Sequence, residues 1–202
     1  MSKWTALDVD DCAPDPFVQF QKWFDEAKEV MAEREAIALV TSTPDGRPSA
    51  RMVLLRLVDG HSFGWYTNYE SRKGHDLEAN PRAALLWYNE PLGRQIRIEG
   101  PVTKTSESES GAYFNSRPRG HQIGAHASQQ GQPLENRQEL EERVGELEVQ
   151  FAGQTVPRPA CWGGYRLTPT LFEFWQHRED RLHDRVLYTP GVEGWHRQRL
   201  AP

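Results

Sequence analysis

Four short stretches collect the side chains that could do chemistry. "RMVLLR" carries Arg51 and Arg56 at the two ends of an apolar run. Five positions apart, they face opposite sides of an ideal strand unless a bulge re-aims one of them. "YTNYESRK" puts Ser71, Arg72 and Lys73 where a strand gives way to a helix, and a helix start offers unpaired N–H groups and a positive dipole end to an anion. A capped surface helix with two ordinary basic residues reads the same way. "YFNSRPRGHQIG" sets Tyr113 and Arg117 one helical turn apart, with Arg119 and His121 beyond. A phenol beside a guanidinium can clamp phosphate or carboxylate, or simply form a cap and a surface ion pair. Finally, "WQHREDRLHDR" packs three arginines and two histidines into residues 175–185. If extended, it turns Arg181, His183 and Arg185 to one face and Leu182 and Asp184 to the other. Such a face suits an anion, and equally a solvated edge strand whose charges resist aggregation.

These clusters must be positioned by a chain of 202 residues, long enough to bury a substantial core. The formal net charge of -5 excludes a general binder of nucleic acid, so any positive site is local. Seven tryptophans supply rings for the core and for stacking on a flat ligand. The two cysteines, Cys12 and Cys161, lack zinc-site spacing, and no metal site is expected; His177, Glu179 and His183 do not have typical ligand spacing. No apolar h-region and no run of eighteen apolar residues occurs, which leads to the expectation of a cytoplasmic protein without a membrane partner. GxGxxG, Walker, HExxH and GxSxG signatures are absent, which argues against a Rossmann dinucleotide site.

Residues 1–16 read as a flexible tail. Asp15 as N-cap and Pro16 at the first position then open an amphipathic helix carrying Phe17, Phe20, Phe24, Ala27 and Met31. "AIALVTS", "SARMVLLRLV" and "SFGWYTN" read as strands separated by turn residues, and a short helix capped by Ser71 follows and stops before Pro81. "AALLWYN" and "RQIRIEGPVTK" are further strands. Residues 106–152 read as helical, with N-cap serines. Strands return as "CWGGYRLTP", "LFEFW", "RLHDRVLY" and "GWHRQRL", the last two a hairpin across "TPGVEG". Strands bracketing a helical block predict a mainly β, α+β fold: an antiparallel barrel with helices in residues 17–202.

Taken together and in order, "RMVLLR", "YTNYESRKGHDLEANPRAALLWY", "GRQIRIEG", "YFNSRPRGHQIGAHASQQ", "CWGGYRLTP", "FEFWQ", "RLHDR" and "RLAP" resemble the pyridoxamine 5'-phosphate oxidase family of FMN split barrels. The resemblance implies a homodimeric split β-barrel with FMN at the subunit interface. It implies oxidation of a phosphorylated B6 vitamer, pyridoxamine or pyridoxine 5'-phosphate, with oxygen as electron acceptor. By resemblance, FMN is held by Arg51, Met52, Val53, Leu54, Leu55, Arg56, Tyr66, Thr67, Arg72, Lys73 and Gln95 from one subunit. Gln130, Gly131, Trp175 and Arg185 reach it from the other. Substrate positions map to Arg56, Tyr113, Arg117, His121, Arg181, Leu182 and His183, with Arg181 and His183 as the catalytic pair. The chain departs from the family in having Arg56 for a lysine, and His121 and Gly131 for serines, changes that bear on substrate affinity. Two other activities fit the same frame: an FMN oxidase of the phenazine-biosynthesis type, and a flavin or pyridoxal-phosphate binder without turnover. Tyr113 and Arg117 favour the phosphorylated substrate.

Overall fold

The computed structural model describes residues 4–202. Asp15 caps α1 (Pro16–Glu26) by accepting from Phe17 N, and Pro16 pre-sets the first turn. The helix ends earlier than its apolar spacing predicts: Ala27–Glu29 tighten into a 3-10 turn, so Met31 lies outside it. Its apolar face enters the barrel, with Phe17 stacked on Phe63 at 5.2 Å between ring centres and Trp23 edge-on to Phe174 at 5.3 Å.

Ten antiparallel strands follow: β1 (Ala36–Ser42), β2 (Pro48–Leu54), β3 (Leu57–Val58), β4 (Phe63–Asn68), β5 (Arg82–Asn89), β6 (Arg94–Lys104), β7 (Trp162–Leu167), β8 (Leu171–Gln176), β9 (Asp184–Gly191) and β10 (Gly194–Leu200). The hydrogen-bonded order is β10-β9-β8-β6-β5-β1-β2, and β3, β4 and β7 form a branch that returns to β6. Strand β6 serves both: Arg94–Glu99 pair with β8, and Val102–Lys104 pair with β7. The chain from β2 to β3 joins the two branches, which makes this a split barrel. Phe20, Phe63, Trp65, Trp87, Phe172 and Phe174 fill its interior.

The expected strand "SARMVLLRLV" is broken in two. Leu55 N donates to Glu35 O and Arg56 N to Gly64 O, both at 2.8 Å, so the ladder changes partner at this point. The helical block resolves into α2 (Arg72–Ala79) before it, then α3 (Glu107–Ser116), α4 (Arg119–Ala127) and α5 (Arg137–Gln150). Of the expected N-cap serines, Ser106 forms a full capping box with Glu109, whereas the N-cap position is held by Pro118 in α4 and by Asn136 in α5.

Two further expectations are overturned. "RLHDR" is not strand throughout: Glu179–Arg181 form a 3-10 turn in which Asp180 and Arg181 have φ of 56° and 62°, and β9 begins only at Asp184. The alternation that put Arg181, His183 and Arg185 on one face therefore does not apply. Nor is the N-terminal segment a flexible tail across its described part, because Leu7 and Cys12 are buried in the main core. Leu7 N donates to Asp184 Oδ2, Tyr188 Oη to Ala13 O, and Arg197 to the carbonyls of Val9 and Cys12. Residues 1–3 of that expectation lie outside the described residues. No helix among the described residues is long and apolar enough to cross a membrane.

Candidate functional site

A cavity of about 820 Å³ opens beside the barrel, lined from β2, β4, α2, the α3–α4 junction and Trp162. It gathers Arg51, Met52, Val53, Leu54, Arg56, Tyr66, Thr67, Lys73, Tyr113, Arg117, His121 and Gln130, residues spread over eighty positions of sequence. The break between β2 and β3 is what admits both Arg51 and Arg56, as a re-aiming bulge would.

Its cationic floor is built around α2. Lys73 Nζ donates to Thr67 Oγ1 at 3.1 Å, Ser71 Oγ at 3.0 Å and Gln130 Oε1 at 3.1 Å. Burial, and then the Arg51 charge, lower the Lys73 ammonium to about 8. Ser71 occupies the N-cap position of α2, but its hydroxyl donates to Asn68 O and accepts from Lys73, so the expected side-chain cap is not made. The first amides of α2 are left uncapped by it. Gly74 lets α2 lie against Tyr69: a Cβ there would sit 1.8 Å from the Tyr69 carbonyl oxygen. Arg51 is anchored by Thr41 Oγ1 at 2.8 Å and Ser49 Oγ at 2.7 Å, and burial lowers its pKa.

The opposite wall is aromatic. Tyr66 and Tyr113 stack at 3.9 Å between ring centres, Trp162 lies parallel to both, and the Arg117 guanidinium sits 4.6 Å over the Trp162 ring. Burial lowers the Arg117 pKa, and its Nη1 is buried with no hydrogen-bond partner. A buried donor without an acceptor is an expensive arrangement that a bound anion would relieve.

Other expected residues fall elsewhere. Leu55 points into the core. Arg72 opens α2 and is exposed, with its amide near Gly131, which lies on a turn beyond Gln130. Gln130 was expected to act with Trp175 and Arg185, but within one chain it bonds Thr67 and Lys73. Gln95, expected with the Arg51 group, instead stands opposite Trp175, which stands opposite Arg185, in one row across β6, β8 and β9. Arg181 and Leu182 are exposed on the turn before β9. His183 packs on Trp175 at 4.5 Å between ring centres, and its Nδ1 accepts from Arg178 N at 3.1 Å. That bond requires an unprotonated Nδ1, which leaves the neutral ring's proton on Nε2. Burial, His177 and Arg181 lower the His183 pKa against the opposing pull of Asp184.

Sequence reasoning missed Asn68, Gly120, Gly124, Ala125, Ser128 and Trp162 as lining residues. For Trp162 a signal existed in the glycine pair that follows it. A Cβ on Gly163 or Gly164 would strike Tyr69 or Thr105, so β7 must approach this wall closely.

Fold and cavity together define a split-barrel protein with a site for an anionic ligand. The chain belongs to the pyridoxamine 5'-phosphate oxidase family, whose description matches residues 24–151, and residues 162–202 match the pyridoxine 5'-phosphate oxidase C-terminal dimerisation region. It is 56% identical to the pyridoxine/pyridoxamine 5'-phosphate oxidase of Rubrobacter xylanophilus, over 98% of this chain and 91% of that protein. Its identity to the Bordetella petrii protein of the same name is 55%, over 99% of this chain and 95% of the relative. Among solved structures, PhzG from Burkholderia lata 383, in complex with tetrahydrophenazine-1-carboxylic acid, superposes with a TM-score of 0.91 at 32% identity. That match covers 98% of this chain and 99% of the PhzG chain.

Proposed function

We propose that this protein is an FMN-dependent oxidase that converts pyridoxamine 5'-phosphate and pyridoxine 5'-phosphate to pyridoxal 5'-phosphate, with oxygen as acceptor and hydrogen peroxide as coproduct. The observation that carries the reading is the cavity, in which Arg51, Arg56, Lys73 and Arg117 converge and the buried Arg117 Nη1 lacks an acceptor. The residues present fit FMN. Arg51, Arg72, Lys73 and the start of α2 suit its phosphate, Thr67 and Gln130 supply polar contacts, and Met52, Val53, Leu54 and Tyr66 supply the walls. When bound, FMN supplies the two-electron chemistry, accepting hydride from C4' of the substrate and passing the electrons to oxygen.

The substrate phosphate falls to Arg56, Tyr113 and Arg117, with His121 at the rim. Gln95, Trp175 and Arg185 stand three to five strands from Met52 in the sheet order, about 14 to 24 Å at ordinary strand spacing. They do not line this cavity. In the homodimer they complete the partner's site, and the turn bearing Arg181, Leu182 and His183 arrives with them. Arg181 there favours the neutral form of a substrate amine, as hydride loss from its carbon requires. His183 offers a proton from Nε2. We also take the compartment to be the cytoplasm, in line with the free thiols of Cys12 and Cys161.

The likeness to PhzG favours a second reading, an FMN oxidase acting on a tricyclic carboxylated ring. Anaerobic mixing separates the two. Pyridoxamine 5'-phosphate should bleach the flavin absorbance of the holoenzyme within seconds. A flavin that stays oxidised with both B6 phosphates but is bleached by a reduced phenazine carboxylate would establish the second reading instead.

A further inference from the structure

Strand β8 buries Phe172 and Phe174 in the core and turns Glu173 and Trp175 to the outer face of the sheet. A carboxylate on that face would ordinarily meet water, yet Glu173 is only 4% exposed. Two arginines close over it. Arg97 stands directly opposite in β6, and Arg185 lies one row along in β9, opposite Trp175. Glu173 Oε2 accepts from Arg97 Nη2 at 2.5 Å, and Oε1 accepts from Arg185 Nε at 2.7 Å. Burial would raise the Glu173 pKa, but these hydrogen bonds outweigh it and hold the group below the usual carboxylate range.

Arg185 is fixed at a second point, because its Nη1 donates to Ala201 O at 2.9 Å. Among the described residues nothing bonds Nη2, so the guanidinium is gripped along one side with its remaining N–H groups directed by that grip. A free arginine gives up considerable rotamer freedom on binding, and an arginine already held gives up little. Removing one arginine from the Arg97–Glu173–Arg185 group would leave a buried charge partly unpaired, so the three act as a unit.

We propose that Glu173 is a positioning residue which, without touching the cofactor, holds Arg185 in the orientation that binds FMN and thereby sets FMN affinity. This rests on the reading that Arg185 contacts FMN. The test dilutes holoenzyme and follows the return of free-flavin fluorescence for the parent, Arg185→Ala, Glu173→Gln and the double variant, with size exclusion at the same concentrations. Each single variant should bind FMN more weakly, on the order of tenfold. The double variant should match Arg185→Ala within about twofold, since a positioner has nothing left to position. Glu173→Asp should recover part of the loss. Losses that add, parental FMN binding in Glu173→Gln alongside weakened binding in Arg185→Ala, or FMN loss that merely follows monomer formation would overturn the positioning role. Parental affinity in Arg185→Ala would instead overturn the reading of Arg185 on which the proposal rests.

Discussion

At the residue scale the site is governed by how few of its cations are already neutralised. Lys73 donates only to neutral oxygens, and at about 8 its ammonium begins to lose its proton far below an ordinary lysine. A phosphate alongside would raise that value again, so the ligand binds the protonated form. FMN affinity should therefore be flat between about pH 7 and pH 8, where the phosphate is a dianion and Lys73 is protonated. Above that range, affinity should fall by up to about tenfold per pH unit until the bound-state value is reached. Titration by flavin fluorescence at pH 7, 8 and 9 checks this, and Lys73→Met should remove the slope. For the substrate phosphate, Arg56→Ala should raise KM by about 2 to 3 kcal/mol of lost charge-assisted bonding, and Arg56→Lys should restore much of it in steady-state assays. Arg181→Ala and His183→Ala should keep the flavin spectrum yet slow single-turnover flavin reduction roughly tenfold, about 1.4 kcal/mol each. Much of this set was legible because residue type reveals charge: Arg51, Arg56, Lys73, Tyr113 and Arg117 all line the cavity. Trp162 was missed, because a tryptophan in a strand reads equally well as core and only the glycine pair after it marked the close approach.

Among the elements, regular structure declared itself and its interruptions did not. Strands β1, β6 and β10 match the runs "AIALVTS", "RQIRIEGPVTK" and "GWHRQRL", where alternation and turn residues agree. The turn at Asp180 and Arg181 depends on two non-glycine residues at positive φ, a conformation their side chains do not advertise. The break at Leu55–Arg56 likewise follows from hydrogen bonds to Glu35 and Gly64, distant choices that a local pattern cannot carry. The same holds for the N-terminal segment, which has no periodicity of its own and is ordered by β9 and β10. Leu7→Ala should lower stability by about 2 to 4 kcal/mol. Calorimetry should then record a fall in Tm of roughly 2 to 4 °C per kcal/mol, whereas a flexible tail would leave Tm unchanged. Gly74→Ala should act on the site through its element. Pushing α2 off the Tyr69 carbonyl moves Arg72 and Lys73 together, and the loss of FMN affinity should exceed what either stability or charge alone would give.

On the scale of the whole molecule, one sheet face links the two sets of residues. Met52, Ala38, Leu86, Arg97 and Glu173 form one row across β2, β1, β5, β6 and β8, and Tyr88, Gln95, Trp175 and Arg185 form the next. Two apolar side chains stand open on it, Met52 at its β2 end 63% and Tyr88 on β5 52% exposed in the single chain. Residues 162–202, which match a dimerisation region, include the Trp175 end of that face, and the proposed shared site has the face packed on a second copy so that the cavity end of one chain meets the Trp175 end of the other. Composition and periodicity were silent on this division. It came from the family resemblance; within one chain Gln130 bonds Lys73 at the cavity and Gln95 stands in the Trp175 row. The direct test is complementation in a purified heterodimer carrying Arg51→Ala in one subunit and Arg185→Ala in the other. Each homodimeric variant should bind FMN poorly at both sites. In the heterodimer one site pairs an intact Arg51 with an intact Arg185 from the opposite chain, so one FMN per dimer should bind with parental affinity. If both residues serve a site within a single chain, the heterodimer will have no intact site and will bind FMN no better than the variants do, contradicting the shared site.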